Sequence, residues 1–157
     1  MEINEVSLDV FNVAGISVRT NNADESNASK SKIMPLYKKF FDEKIEDQIP
    51  NKINEKYFMG IYTDYESDYN GDYTLLIAKE VKGFENIPDN LRTQRIEQGK
   101  YLKFTNEGEM PAVVIDSWKY IWKYFLENNK YERAYTADFE KYDKTIYNKV
   151  EIFISIK

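Results

Sequence analysis

The chain has no cysteine and no histidine in 157 residues. Without cysteine there can be no disulfides, thiolate nucleophiles or thiolate metal sites. Without histidine there can be no Ser-His or Cys-His nucleophile arrangement, and most zinc sites are excluded as well. Any acid–base chemistry therefore falls to Asp, Glu, Tyr or Lys. There is no basic stretch either, and the net charge is −5, opposite in sign to a nucleic-acid-binding surface. No apolar run approaches membrane-spanning length. The opening Met1-Glu2-Ile3-Asn4-Glu5 lacks the basic region and apolar run of a signal peptide. Asn27-Ala28-Ser29 fits the glycosylation pattern, but with no sign of secretion it reads as a chance match. The expectation is a cytoplasmic domain that needs no cofactor and touches neither nucleic acid nor membrane directly.

Aromatic rings, in contrast, are plentiful. They make up 15% of the chain, with 13 tyrosines, alongside 42% hydrophobic and 31% charged residues. The length suits one domain with its own core. The most informative stretch is Tyr135-Thr136-Ala137-Asp138-Phe139-Glu140-Lys141-Tyr142, whose alternation predicts a half-buried strand. Tyr135, Ala137 and Phe139 would face one way, and Thr136, Asp138, Glu140 and Tyr142 the other. Two carboxylates and a tyrosine on one face, in a chain rich in rings, suit a cation with an apolar body.

The flanking sequence supplies the other elements. Residues 6–19 read as a strand pair or one bent strand, with room for a bulge at Ala14-Gly15. Ile33, Leu36, Tyr37, Phe40, Phe41 and Ile45 recur at helical spacing and predict an amphipathic helix near residues 32–46, with Pro35 in its first turn. Residues 57–65 and 73–81 read as strands, with Asn70-Gly71 as a hairpin signal between them. Glu66, Asp68, Asn70, Gly71 and Asp72 imitate the start of a calcium loop. The position that should carry a bidentate Glu is Ile77, however, and strands flank the segment. Residues 92–104 give another strand. Pro111 opens a second helix to about residue 127, with Val114, Trp118, Ile121, Trp122 and Phe125 on its buried stripe. Val150, Ile152, Ile154 and Ile156 mark a closing strand.

The order strand, helix, strand, strand thus occurs twice, and Met34-Pro35 and Met110-Pro111 open the two helices. Tyr62-Thr63-Asp64-Tyr65-Glu66 also echoes Tyr135 to Glu140 with one residue inserted. These features predict an α+β fold of duplicated β-α-β-β modules. Antiparallel sheets would carry one helix per half, with a ligand groove between the halves. The pseudo-repeats would cover about residues 1–82 and 91–157 of a single domain, 1–157.

Five segments together resemble a known family. They are Tyr62 to Asp68 with Gly71-Asp72-Tyr73-Thr74, then Gly99-Lys100-Tyr101-Leu102-Lys103-Phe104, then Trp118-Lys119-Tyr120-Ile121-Trp122, then Thr136 to Tyr142, and last Glu151 to Lys157. In order and over nearly the whole chain they resemble the effector-binding domains of the gyrase-inhibitor-like (GyrI-like) superfamily. The likeness is closest to the stand-alone integron-cassette effector-binding proteins, relatives of the effector-binding domains of AraC-type and MerR-type multidrug regulators. The resemblance implies two modules about a pseudo-two-fold axis, with an aromatic pocket between them. It implies a central glutamate in that pocket, at Glu140, and hydrophobic organic cations, drugs and dyes among them, as ligands. Many relatives carry a DNA-binding helix-turn-helix in front. This chain is expected to lack one, so any regulation of transcription would act in trans, through a partner regulator protein.

Glu140 is the leading candidate for the ligand's counter-charge, expected on the floor of the pocket without a permanent Lys or Arg partner. The plainer alternative is a solvated strand carboxylate paired with a lysine. Trp118 and Trp122, four apart on one helical face, are candidate walls or simply core. Tyr62, Tyr65, Tyr73, Tyr101 and Tyr142 are candidate pocket hydroxyls, and Asp138 shares Glu140's face. A binding protein is the leading reading. The resemblance also admits a hydrolase of strained cyclopropane-containing compounds, with Glu140 as base and a tyrosine as acid, and an interaction module acting on DNA gyrase.

Overall fold

The computed structural model describes residues 1–157. Eight strands run as β1 Glu2–Leu8, β2 Phe11–Thr20, β3 Tyr57–Thr63, β4 Tyr73–Val81, β5 Arg92–Ile96, β6 Gly99–Glu107, β7 Ala137–Asp143 and β8 Lys149–Ile156. Three helices, α1 Asn22–Glu25, α2 Ile33–Asp42 and α3 Ala112–Glu127, complete the fold, with a single 3-10 turn at Ile45–Gln48. All strands join one antiparallel sheet in the order β1-β6-β8-β7-β3-β4-β2-β5. The elements β2-α2-β3-β4 and β6-α3-β7-β8 repeat one sequence of types, and the two sets meet where β7 pairs with β3. No helix is long and apolar enough to cross a membrane.

The connections force this sheet to curl. In a flat sheet β1 and β2 would lie roughly 30 Å apart. Only Asp9 and Val10 join them, a span of about 11 Å at most. The same holds for β5 and β6, joined by Glu97 and Gln98. The ends of the sheet therefore bend towards each other. Phe11 on β2 meets Phe139 on β7, ring centroids 5.5 Å apart, although β4 and β3 lie between those strands. That contact is only made across the inside of the curl. Val13, Met59, Ile61, Leu76, Phe139 and Phe153 fill this interior.

The helices pack on the outer face. Leu36 and Phe40 of α2 cover Ala14, Leu75 and Ile77, while Val113 and Ile121 of α3 cover Leu102, Phe104, Ile152 and Ile154. The period-two alternation decides which side each strand residue serves. On β8, Ile152 and Ile154 face α3, and Phe153 between them faces the interior.

Several boundaries differ from expectation. Residues 6–19 fall into two strands, one of the two alternatives, but the break lies at Asp9-Val10. The single strand expected over 92–104 breaks at Glu97-Gln98. Each connection must cross from one end of the sheet to the other. No bulge occurs at Ala14-Gly15, where the register with β4 runs through unbroken. Gly15 instead serves close approach, since a Cβ there would stand 1.8 Å from the Ile77 carbonyl oxygen. The helix expected near residues 32–46, α2, stops at Asp42, after which Lys44 turns left-handed with φ 50°. β3 and β4 do pair as a hairpin, but through residues 64–72 rather than a two-residue Asn-Gly turn. That loop is closed by the Glu66 N–H on Asp72 O at 2.8 Å, and Gly71 has no positive φ. The echo between Tyr62 and Tyr135 does not survive folding. Glu66 lies beyond the end of β3, and the residue paired with Glu140 is Gly60.

Candidate functional site

β7 has the alternation read from its sequence. Ala137 and Phe139 enter the interior, while Asp138, Glu140 and Tyr142 take the outer face; Tyr135 precedes the strand with φ 54°. On that outer face, over the β3–β7 seam and between α2 and α3, lies a cavity of about 940 Å³. Most of its apolar lining residues are aromatic, with Met34 and Met110 beside them, and Lys38, Lys119, Arg133 and Lys144 also line it. Tyr37 and Phe41 come from α2, Phe58 and Tyr62 from β3, and Trp118 and Trp122 from α3.

Glu140 is 2% exposed, yet no lysine or arginine pairs with it. Four neutral groups hold its carboxylate instead. The Tyr142 hydroxyl donates to Oε1 at 2.6 Å and the Tyr37 hydroxyl to the same atom at 3.3 Å. Trp118 Nε1–H donates to Oε2 at 2.6 Å and the Tyr62 hydroxyl at 2.7 Å. Such bonds to a charged acceptor are stronger than neutral ones and lower the cost of burial. Burial first, and then the adjacent Glu140 charge, push the Tyr37, Tyr62 and Tyr142 phenols well above their usual range. They therefore remain protonated donors across ordinary pH.

The register explains how Tyr37 reaches this cluster. Gly60 stands directly opposite Glu140. A Cβ at position 60 would lie 2.5 Å from the Tyr37 hydroxyl and 3.2 Å from Glu140 Oε1. A bare glycine on β3 thus leaves space for a helix side chain to enter the carboxylate's shell. Below it, Phe58 stacks on Tyr142 with centroids 4.9 Å apart.

Asp138, on the same face, is employed differently. Its carboxylate pairs with Arg133 at 2.6 Å and accepts the Tyr65 hydroxyl, the Ser155 N–H at 2.8 Å and the Ser155 hydroxyl at 3.1 Å. It is fully buried and outside the cavity. Glu25, at the cavity edge, is committed as well. It accepts from Thr20, Ser31 and the N–H groups of Lys32 and Ile33. Burial pushes its carboxyl up, but those hydrogen bonds outweigh burial and hold it below the usual range. It thereby caps α2, whose own N-cap Lys32 supplies no side-chain bond.

Of the tyrosines and tryptophans singled out in the sequence, Trp118, Trp122, Tyr62, Tyr65, Tyr73 and Tyr142 line the cavity. Tyr101 does not. It points into the curl, edge-on to Phe139 at 5.6 Å, because its position on β6 has the opposite parity to Leu102 and Phe104 under α3. Burial, with Asp138 nearby, pushes its phenol up to about 12. Tyr37 was missed: it lies on the apolar stripe of α2, where a tyrosine reads as core. Phe58 gave no signal beyond strand alternation.

An outer-face cavity with a buried carboxylate that has no basic partner, on a curled sheet carrying two helices, is the architecture of a small-molecule effector-binding domain. The family described as integron-associated effector binding protein, Cass2, matches residues 5–156. The chain belongs to that family. Among solved structures it is similar to the integron cassette protein VCH_CASS2 from the mobile metagenome of Vibrio cholerae. The identity is 35% over 99% of this chain and 95% of that one, with a TM-score of 0.83. It is also similar to SAV2435 in a structure bound to tetraphenylphosphonium, with a TM-score of 0.81 at 17% identity over 100% and 94% of the chains. Protein YobU of Bacillus subtilis (strain 168), provisionally named a transcriptional regulator, is 26% identical over 96% of this chain and 94% of its own.

Proposed function

We propose that this domain binds hydrophobic organic cations in the cavity between α2 and α3, with Glu140 as the counter-charge and the rings as contact surface. The observation that carries the reading is a carboxylate 2% exposed, at an aromatic cavity, with no basic partner. A buried charge that folding leaves without an ion-pair partner favours whatever cation arrives. Cation–π contacts add about 0.5–2 kcal/mol each, depending on desolvation. Tetraphenylphosphonium on SAV2435, a protein of similar fold, is in keeping with this chemistry. The similarity to YobU, itself provisionally named a transcriptional regulator, is in keeping with a role for the bound ligand in transcription regulation. Hydrolysis fits the geometry less well. All four donors around Glu140 bond to its oxygens, so a water finds no lone pair to receive its proton.

A thermal-shift comparison tests the reading with tetraphenylphosphonium against a neutral triphenyl compound such as triphenylmethanol. A cation present at about 100 times its Kd adds about 2.7 kcal/mol of stability. Melting temperatures that rise equally for both compounds would refute a role for charge.

A further inference from the structure

We infer that the cavity selects cations whose charged centre carries no N–H, namely quaternary ammonium, phosphonium or fully substituted aromatic cations, over protonated amines of the same size. This rests on the cation-binding reading above and narrows it. An ionised carboxylate offers about four lone-pair sites. In this protein every one is taken: Oε1 by Tyr37 and Tyr142, Oε2 by Tyr62 and Trp118. With the side chain almost wholly buried, no site is left facing the cavity.

A protonated amine entering the cavity would give up strong hydrogen bonds to water. In return it would find, around Glu140, phenol oxygens, which are weaker acceptors than a free carboxylate. The other carboxylates lining the cavity are already engaged, Glu25 by Thr20, Ser31 and the Lys32 and Ile33 N–H groups and Asp143 by Lys56 and Thr145. An unmet hydrogen bond to a charged group costs enough to weaken binding about tenfold or more. A centre sheathed in methyl or phenyl groups has no N–H to satisfy. It needs only the field of the carboxylate and the ring faces of Phe58, Tyr142, Tyr37 and Trp118, which line the same cavity. The Tyr37 bond, at 3.3 Å, is the longest of the four. Removing that hydroxyl frees one site on Oε1 and leaves the ring in place.

The experiment uses three probes on one anthracen-9-ylmethyl body: the trimethylammonium salt, the dimethylamine protonated at pH 7, and the neutral hydrocarbon with carbon in place of nitrogen. Each is titrated by fluorescence against the wild-type protein, Tyr37→Phe and Tyr142→Phe. The expected result for wild type is binding of the quaternary probe about tenfold or more tighter than the amine, with the neutral probe weaker than the quaternary one. In at least one variant the quaternary-to-amine ratio should fall several-fold, through tighter binding of the amine. If wild type binds the amine as tightly as the quaternary probe, and both better than the neutral one, this inference fails and the cation-binding reading stands. A quaternary preference that neither variant reduces would overturn the lone-pair explanation. Equal binding of all three probes, or of none, would overturn the cation-binding reading and this inference with it.

Discussion

Replacing Glu140 with glutamine removes the charge and keeps the shape. Four neutral donors surround the carboxylate, so a ligand's charged centre stops short of contact with it. At roughly 5 Å and an effective dielectric of about 20, the attraction is about 3 kcal/mol. Desolvating the cation offsets part of this, leaving an expected loss of about 1–3 kcal/mol, or roughly 5- to 150-fold in Kd, for a cationic dye. A neutral isostere should lose almost nothing. The fold should tolerate the change. If the amide oxygen takes the Oε2 position, it still accepts from Trp118 Nε1–H and the Tyr62 hydroxyl. The amide NH₂ then faces Tyr37 and Tyr142, whose hydroxyls can rotate to accept. Stability should therefore change by no more than about 1 kcal/mol, because weaker hydrogen bonds are balanced by the loss of a buried charge. Calorimetric titration of both ligands against both proteins, with thermal melts alongside, measures each quantity. Equal losses for the two ligands, or none for either, would refute the assignment of Glu140 as the counter-charge.

Tyr101→Phe should leave cation affinity within about twofold of wild type, since that ring lies inside the curl; a large loss by titration would contradict the placement. Gly60→Ala should push the Tyr37 hydroxyl away from Glu140, visible as altered cation affinity with the sheet's circular dichroism intact. Asp138→Asn should destabilise the fold by about 3–5 kcal/mol in urea melts, because Arg133 would remain buried without its partner. At high pH the buried phenols of Tyr37, Tyr62, Tyr65 and Tyr142 stay protonated while the unfolded chain ionises near pH 10. Their folded-state affinity for the proton is raised. The stability they contribute is therefore complete below pH 10 and falls above it, by about 1.4 kcal/mol per pH unit for each such tyrosine. Ultraviolet titration should show these four ionising only as the protein unfolds; reversible titration of all 13 tyrosines near pH 10 would disprove their burial.

The sequence alone determined the element types, because they follow from local periodicity. The alternation through Ala137, Asp138, Phe139 and Glu140 assigned each residue's face correctly before any partner strand was known. The three- and four-residue spacing of Leu36, Phe40, Val114, Trp118 and Ile121 likewise located α2 and α3. What the local pattern cannot carry is which distant strands become neighbours. Tyr101 has the same chemistry and a similar alternation to Tyr142, yet one enters the interior and the other the cavity. The difference is the side of the sheet each takes. Tyr101 has the opposite parity to Leu102 and Phe104 under α3, Tyr142 shares Glu140's side of β7, and only the packing of the helices decides which side becomes the cavity's. Tyr37 reaches Glu140 only because Gly60 falls opposite it in the β3–β7 register, a pairing between segments far apart in the chain. Asp138 and Glu140 are two residues apart on one face, and local pattern alone gives no reason to separate their roles, although the family resemblance singles out Glu140. Tertiary structure set Arg133 against the first and three phenols and an indole around the second. A cation already fixed by the fold makes Asp138 part of the scaffold, whereas neutral donors leave Glu140 with a charge still to be answered.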